Sequence, residues 1–155
     1  MSTYKVLGRG ELHFYDNNSY HDAIHYITNP AKAAYVGGSG IAHLANAAEE
    51  MQQTSEYFHK NCGKRLRHSE LSFSASEHVT PELAKQYADE IIQHYGSEYQ
   101  IVYAVHQNTD HTHIHFVMNQ VTYTDGHRYQ GKKKDYHDFL NHIRHVTHLP
   151  VIPAK

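Results

Sequence analysis

Four histidines fall within Val105-His-Gln-Asn-Thr-Asp-His-Thr-His-Ile-His-Phe-Val-Met-Asn119. Imidazole is a common transition-metal ligand, and on a strand His113 and His115 leave the same face while Ile114 turns the other way. A metal ion can bridge such a pair. His106 ends the preceding apolar run, and pairing across residues 107 to 112 brings a third imidazole beside the first two. Three protein ligands leave coordination positions open for substrate or water, as a catalytic ion requires and a closed structural site does not. By affinity, imidazole donors suit zinc, nickel or copper. His111 shares the parity of 113 and 115 but falls in the expected turn and is left out. In a chain with 17 His, pairs of this kind also arise by chance, so the third histidine carries the weight.

Two further positions stand out. Glu70 lies mid-strand between His68 and Ser72, where a carboxylate can orient a metal-bound imidazole, take a proton, or simply face solvent. Tyr26 falls about 120° from the centre of its helix's apolar stripe, counting 100° per residue, although 13 Tyr in the chain prevent geometry from singling it out. Basic residues cluster twice without an acid among them: Lys60, Lys64, Arg65 and Arg67, and then Arg128, Lys132, Lys133 and Lys134. Such runs are either solvated surface or contacts to a nucleic-acid backbone.

The elements that would position these groups follow from periodicity. Glu11–Tyr15 alternates as a strand, and Asp16–Ser19 supplies turn and capping chemistry before a helix over about 19–29, with Tyr20, Ala23, Ile24 and Ile27 inward. Asn29-Pro30 ends it, and Gly37–Gly40 reads as a turn. Leu44, Ala47, Ala48, Met51, Ser55 and Phe58 mark a longer helix stopping near Gly63. Residues 68–75 alternate as a strand, with Leu71, Phe73 and Ala75 on one face and His68, Glu70, Ser72 and Ser74 on the other. Thr80, Pro81 and Gly96 bracket a third helix. Runs 99–106 and 113–123 read as paired strands, and 135–147 as a last amphipathic helix. Strands and helices in this order predict an α+β fold, an antiparallel sheet covered by helices.

At 155 residues, with 39% hydrophobic and 12% aromatic content, the chain fits one domain with a packed core. No apolar run approaches the ~20 residues of a membrane helix, and the start lacks a signal-peptide pattern. A single cysteine, Cys62, excludes an internal disulfide and fits a reducing cytoplasm. The formal charge of −2 moves toward mildly basic if roughly a quarter of the histidines hold a proton near neutral pH.

The segment Ala104–Asn119 resembles the third motif of conjugative relaxases, HUH endonucleases that nick plasmid DNA at an origin of transfer, and the MobP-like class in particular. His106, His113 and His115 match its three-histidine spacing. His68-Ser-Glu-Leu-Ser-Phe73 resembles the second motif, in which a serine before Phe contacts DNA near the scissile phosphate; that is Ser72. Ala23-Ile-His-Tyr-Ile-Thr-Asn29 resembles the first motif, whose tyrosine is the nucleophile; that is Tyr26. In a related relaxase class an Asp orients a metal-bound His from the position that Glu70 occupies. The resemblance runs from about residue 20 to 148. It departs from the pattern at Asn108, where the family usually has Asp, a role that Asp110 could take over.

The resemblance implies an HUH, ferredoxin-like relaxase domain over 1–155, the N-terminal part of a longer protein. It implies Mn or Mg as the working ion, while the affinity of imidazole donors allows Zn or Ni as the ion found bound. It implies single-stranded DNA at an origin of transfer as substrate, for whose backbone the basic clusters offer Lys64, Arg65, Arg128 and Lys132 to Lys134 as candidate contacts, solvated surface being the alternative. Relaxosome accessory proteins and a coupling protein are the expected partners, and the expected product is a 5'-phosphotyrosyl strand. Two rival readings use the same residues. A rolling-circle replication initiator would carry its tyrosine after the histidine motif, and a non-catalytic metal- or DNA-binding module would need no nucleophile. A zinc hydrolase would need a motif such as His-Glu-x-x-His, which is absent.

Overall fold

The computed structural model describes residues 1–8, 14–108 and 111–154. Its centre is a hairpin of two strands rich in β-branched and aromatic residues, β4 (Ile101–Asn108) and β5 (His111–Asn119). Around it lie β1 (Ser2–Leu7), β2 (Ala33–Ser39), β3 (Leu66–Ser72) and β6 (Val151–Pro153). The sheet order is β2-β4-β5-β3-β1-β6. Neighbours run antiparallel except β1 and β6, which are parallel. The helices are α1 (Asn18–Thr28), α2 (Ala47–Tyr57), α3 (Pro81–Ile91), the short α4 (Gln93–Gly96) and α5 (Lys133–Thr147). This is the expected α+β architecture.

Strand parity divides the sheet into two unlike faces. On one, Tyr4, Val6, Leu71, Tyr103, Val105, Ile114, Phe116 and Met118 form a continuous core with Ala84, Ala88 and Ile91 of α3 and Phe139, Leu140 and Ile143 of α5. On the other, Leu66, Val102, Ala104 and Val117 pack beneath Tyr20, Ala23, Ile24 and Ile27 of α1 and Ala47, Ala48 and Met51 of α2. That second apolar cluster covers only part of its face. Next to it along the same strands come His68, Glu70 and Ser72, His106, and His113 and His115, so the polar site begins where the smaller core stops.

Several boundaries differ from the sequence reading. Residues 37–39 are strand, not turn: Gly37 and Gly38 pair with Tyr103 and Val102. A Cβ on Gly37 would lie 2.5 Å from the Tyr103 ring, so the glycine serves close packing rather than chain reversal. α2 ends at Tyr57 rather than near Gly63, because His59 takes a left-handed conformation (φ 56°) and Lys60 N–H bonds back to the Ser55 carbonyl. β3 stops at Ser72, and Ala75 belongs to a single 3-10 turn capped by Ser74 and Glu77. β4 runs on to Asn108 while β5 starts at His111, so His111 is an exposed strand residue opposite Asn108 and not part of a 107–112 turn. β5 ends at Asn119, short of the expected 123. Of the strand expected at Glu11–Tyr15, residues 11–13 lie outside the described residues, and Phe14 and Tyr15 sit in a turn. β1 and β6 were not anticipated. The third helix, expected to run unbroken to Gly96, is interrupted at Ile92 into α3 and α4; its start is as expected, with Thr80 Oγ1 accepting from Leu83 N–H, and the predicted stripe of α1 is buried while Tyr26 is 54% exposed.

Candidate active site

The antiparallel register sets His106 of β4 directly opposite His113 of β5. His115 lies two residues along the same face, with ring centroids 4.5 Å from His106 and 5.1 Å from His113. One ligating atom from each of the three histidines falls within 4.8 Å of the other two, a spacing that one ion can span. His106 and His115 are buried and His113 is half-buried, so the cluster is open on the His113 side.

Two hydrogen bonds prepare these imidazoles. His106 Nε2 lies 2.6 Å from the Ile27 carbonyl. A carbonyl only accepts, so Nε2 carries the hydrogen and Nδ1 keeps the lone pair a metal needs. Ile27 lies in the last turn of α1, whose carbonyls have no partner within the helix. His106 thus satisfies one of them and ties α1 to the site, with the negative end of the helix dipole toward the histidines. His115 Nδ1 lies 2.9 Å from His68 Nε2 in a buried contact. Burial pushes the proton affinity of His68 down to about 4, helped by His106, and that of His115 down to about 2, helped by its three histidine neighbours and Lys32. His113 is lowered by burial too, although the Glu70 carboxylate opposes the shift. Neutral, deprotonated imidazoles are the ligand form, and the donor set therefore fits a divalent cation.

Tyr26 projects from α1 over this cluster. Its ring stands edge-on to His115 at 6.1 Å and to His68 at 6.3 Å. The chain then reverses at Asn29-Pro30, where Asn29 Oδ1 accepts from Ala31 N–H and the Asn29 carbonyl accepts from Lys32 N–H. That turn carries the exposed Lys32 ammonium to 5.1 Å from the Tyr26 ring centroid. Glu70 sits opposite His115 across the β3–β5 ladder, and Ser72 opposite His113. Ser72 Oγ donates to Glu70 Oε1 at 2.9 Å. Among the described residues no hydrogen bond joins Glu70 to the three histidines.

The fold thus brings Tyr26, Glu70, Ser72, His106, His113 and His115 to one face. The basic residues are placed otherwise. Arg65 donates to Asn61, Asn17 and the carbonyls of Tyr15 and Gly63. Arg128 donates to the carbonyls of Lys60, Cys62 and Lys64. Both guanidinium groups are engaged in holding the connection before β3. Arg128 and Lys64 also border a cleft of about 450 Å³ with Arg67, whose odd position on β3 puts it on the sheet face opposite His68 and Glu70. Lys132 and Lys133 are exposed at the start of α5, and Lys134 pairs with Asp138. The side chain of Asn108, and Asp110, lie outside the described residues. Sequence reasoning passed over Lys32 and the Ile27 carbonyl, and it named His68 only as a neighbour. The shared parity of 68 and 70 was the available signal for His68, whereas no periodicity marks a lysine beyond a turn.

Comparison with known proteins identifies the family of the chain. The family model "Relaxase: MobA/VirD2-like, nuclease domain" matches residues 26–148, and the chain belongs to this family. It is 30% identical over 111 residues to "Protein rlx" of Staphylococcus aureus, covering 70% of the chain and 33% of that protein. It is 27% identical over 135 residues to "Group II intron-interrupted relaxase LtrB" of Lactococcus lactis subsp. cremoris, covering 69% of the chain and 24% of that relaxase. The chain thus spans between a quarter and a third of the length of these curated relatives.

Proposed function

We propose that this chain nicks one strand of DNA at an origin of transfer by tyrosine transesterification, as the nuclease part of a longer relaxase acting in the cytoplasm. The observation that carries this reading is the position of Tyr26, edge-on to His115 and beside an open three-imidazole cluster. The Tyr26 oxygen attacks the scissile phosphorus in line. A P–O bond to tyrosine forms as the bond to the 3' oxygen breaks, leaving a 5'-phosphotyrosyl strand and a 3'-hydroxyl. One phosphodiester replaces another, so the step needs no nucleotide cofactor and can reverse. Glu70, on the same sheet face with its Oε1 held by Ser72, is the proposed acceptor of the tyrosine proton, and the leaving 3' oxygen takes up a proton from water to become the hydroxyl.

His106, His113 and His115 would hold a divalent cation. When bound, that cation supplies Lewis-acid stabilisation of charge on the non-bridging phosphate oxygens. Mn or Mg is the proposed working ion, with Zn or Ni as tighter binders of the same donors. Ser72, opposite His113, is suited to a hydrogen bond to DNA near the scissile phosphate. Lys64, Lys132, Lys133 and Lys134 contribute positive charge for the backbone, and Arg65 and Arg128 add theirs while fixing the loop that carries Lys64. Accessory proteins of a relaxosome and a coupling protein are the proposed partners. A tyrosine ahead of the histidine motif favours this reading over a replication initiator.

The test is a denaturing gel of the protein with single-stranded DNA from the region flanking its own gene. Mn or Mg should give a covalent protein–DNA band that EDTA and Tyr26→Phe both abolish. A band that persists in Tyr26→Phe would overturn the assignment of the nucleophile. Metal binding without a band on any DNA would favour the non-catalytic module.

A further inference from the structure

We propose that His68 is the positioning residue of the metal centre, accepting a hydrogen bond from Nδ1 of His115 and so reserving the other ring nitrogen of His115 for the ion. The inference rests on the reading that His106, His113 and His115 bind metal. A neutral imidazole carries one N–H and one lone pair, and which nitrogen holds the hydrogen is decided by the partner of the other. The 2.9 Å contact between His115 Nδ1 and His68 Nε2 admits two arrangements. If His68 donates, the hydrogen of His115 sits on Nε2 and that ring has no lone pair left to share with His106 and His113. If His115 donates, Nε2 is free and the ring becomes a ligand.

The second arrangement is the one that metal binding by the triad requires of His115. His68 is 6% exposed, and its ring is bounded by Phe14 at 6.2 Å, Tyr26 at 6.3 Å and His115 at 5.2 Å between centroids. It thus lies buried among aromatic neighbours. The contact crosses the β3–β5 ladder diagonally, since His68 lies opposite Val117 while Glu70 lies opposite His115. Glu70, opposite His115 in register, makes no hydrogen bond to it among the described residues, its Oε1 accepting from Ser72, so the partner that His115 does have is His68. His106 is oriented by the Ile27 carbonyl, so two of the three ligands each have a dedicated partner from a different element, α1 for one and β3 for the other.

The experiment compares wild-type protein with His68→Leu and His68→Gln, stripped of metal and titrated with Mn by calorimetry, together with a long-range ¹H–¹⁵N spectrum of the imidazoles in the metal-free wild type. His68→Leu should weaken Mn binding about 10- to 100-fold, the usual cost of removing a partner of a metal ligand. His68→Gln, whose Oε1 can accept near the place of Nε2, should stay within about threefold of wild type. The spectrum should show the hydrogen of His115 on Nδ1. Unchanged Mn affinity in His68→Leu, or the hydrogen on Nε2 in the wild type, would overturn the proposal. If His68→Leu fails to fold by circular dichroism, His68→Gln and the wild-type spectrum decide the matter. If wild-type protein binds neither Mn nor Zn, the metal reading of the triad fails with this one resting on it, whereas normal wild-type binding with an indifferent His68→Leu fails this inference alone.

Discussion

Tyr26 and Lys32 face each other across the Asn29-Pro30 turn. The Lys32 ammonium lies 5.1 Å from the Tyr26 ring centroid; on the proposed mechanism negative charge gathers on the Tyr26 oxygen, as attacking group in cleavage and as leaving group in rejoining, and a nearby ammonium stabilises it. Lys32→Met should therefore slow formation of the covalent band by about tenfold, equivalent to ~1.4 kcal/mol of lost electrostatic stabilisation. Because Lys32 is exposed and has no ion-pair partner among the described residues, its loss should leave the melting temperature unchanged. A gel time course beside a thermal melt checks both halves. Most of the candidate site was legible in the sequence at this scale: spacing found His106, His113 and His115, and the motif resemblance pointed to Tyr26 and Ser72. Lys32 was not legible, because only the path of the chain after a turn sets its distance to the ring.

At the scale of elements, β2 shows how a sequence signal can mislead. Gly-Gly-Ser-Gly reads as a turn because glycine permits unusual backbone angles, yet Gly37 and Gly38 are strand residues. What demands glycine at 37 is the Tyr103 ring on the neighbouring strand, anchored by its hydroxyl donating to Asp89 Oδ1 of α3 at 2.6 Å. The ring cannot swing aside without giving up that bond. Gly37→Val should cost about 1–3 kcal/mol of stability through overpacking, read as a lower urea midpoint. Asn119, at the end of β5, makes the complementary case. It is fully buried and donates to the Met51 carbonyl and to Gln100 Oε1, while its own Oδ1 accepts from Ser55 and Val121 N–H. Asn119→Leu leaves those groups unpaired in the interior and should destabilise by about 2–4 kcal/mol. The helices and the three central strands were readable because amphipathic stripes and alternation report burial directly. β1 and β6 were not, since Ser2–Leu7 and Val151–Pro153 are short and become strands by pairing with each other and with β3.

The whole molecule divides labour between the faces of one sheet. The α3/α5 face is core for most of its area, with Arg67 beside a cleft at its edge, whereas the α1/α2 face is core for part of its area and ionisable for the rest. That division makes stability depend on pH. His68 and His115 are held neutral by burial, with proton affinities of about 4 and about 2 against 6.5 for the ordinary group. The unfolded chain therefore binds more protons than the native one below pH 6.5, so stability is full above that value and is lost as pH falls toward 4. The slope should approach ~1 kcal/mol per pH unit for each group, seen as urea midpoints of EDTA-treated protein falling between pH 7 and 5. A flat profile would contradict the burial of these two histidines. By itself the sequence determined the donor chemistry, the amphipathic helices and the α+β class, because residue type and short-range period carry that information. Tertiary structure alone decided which groups meet: the β4–β5 register that opposes His106 to His113, the α1 carbonyl on His106, and the diagonal contact of His68 with His115. Those meetings depend on the packing of segments distant in the chain, and no local pattern encodes the angle at which two such segments pack.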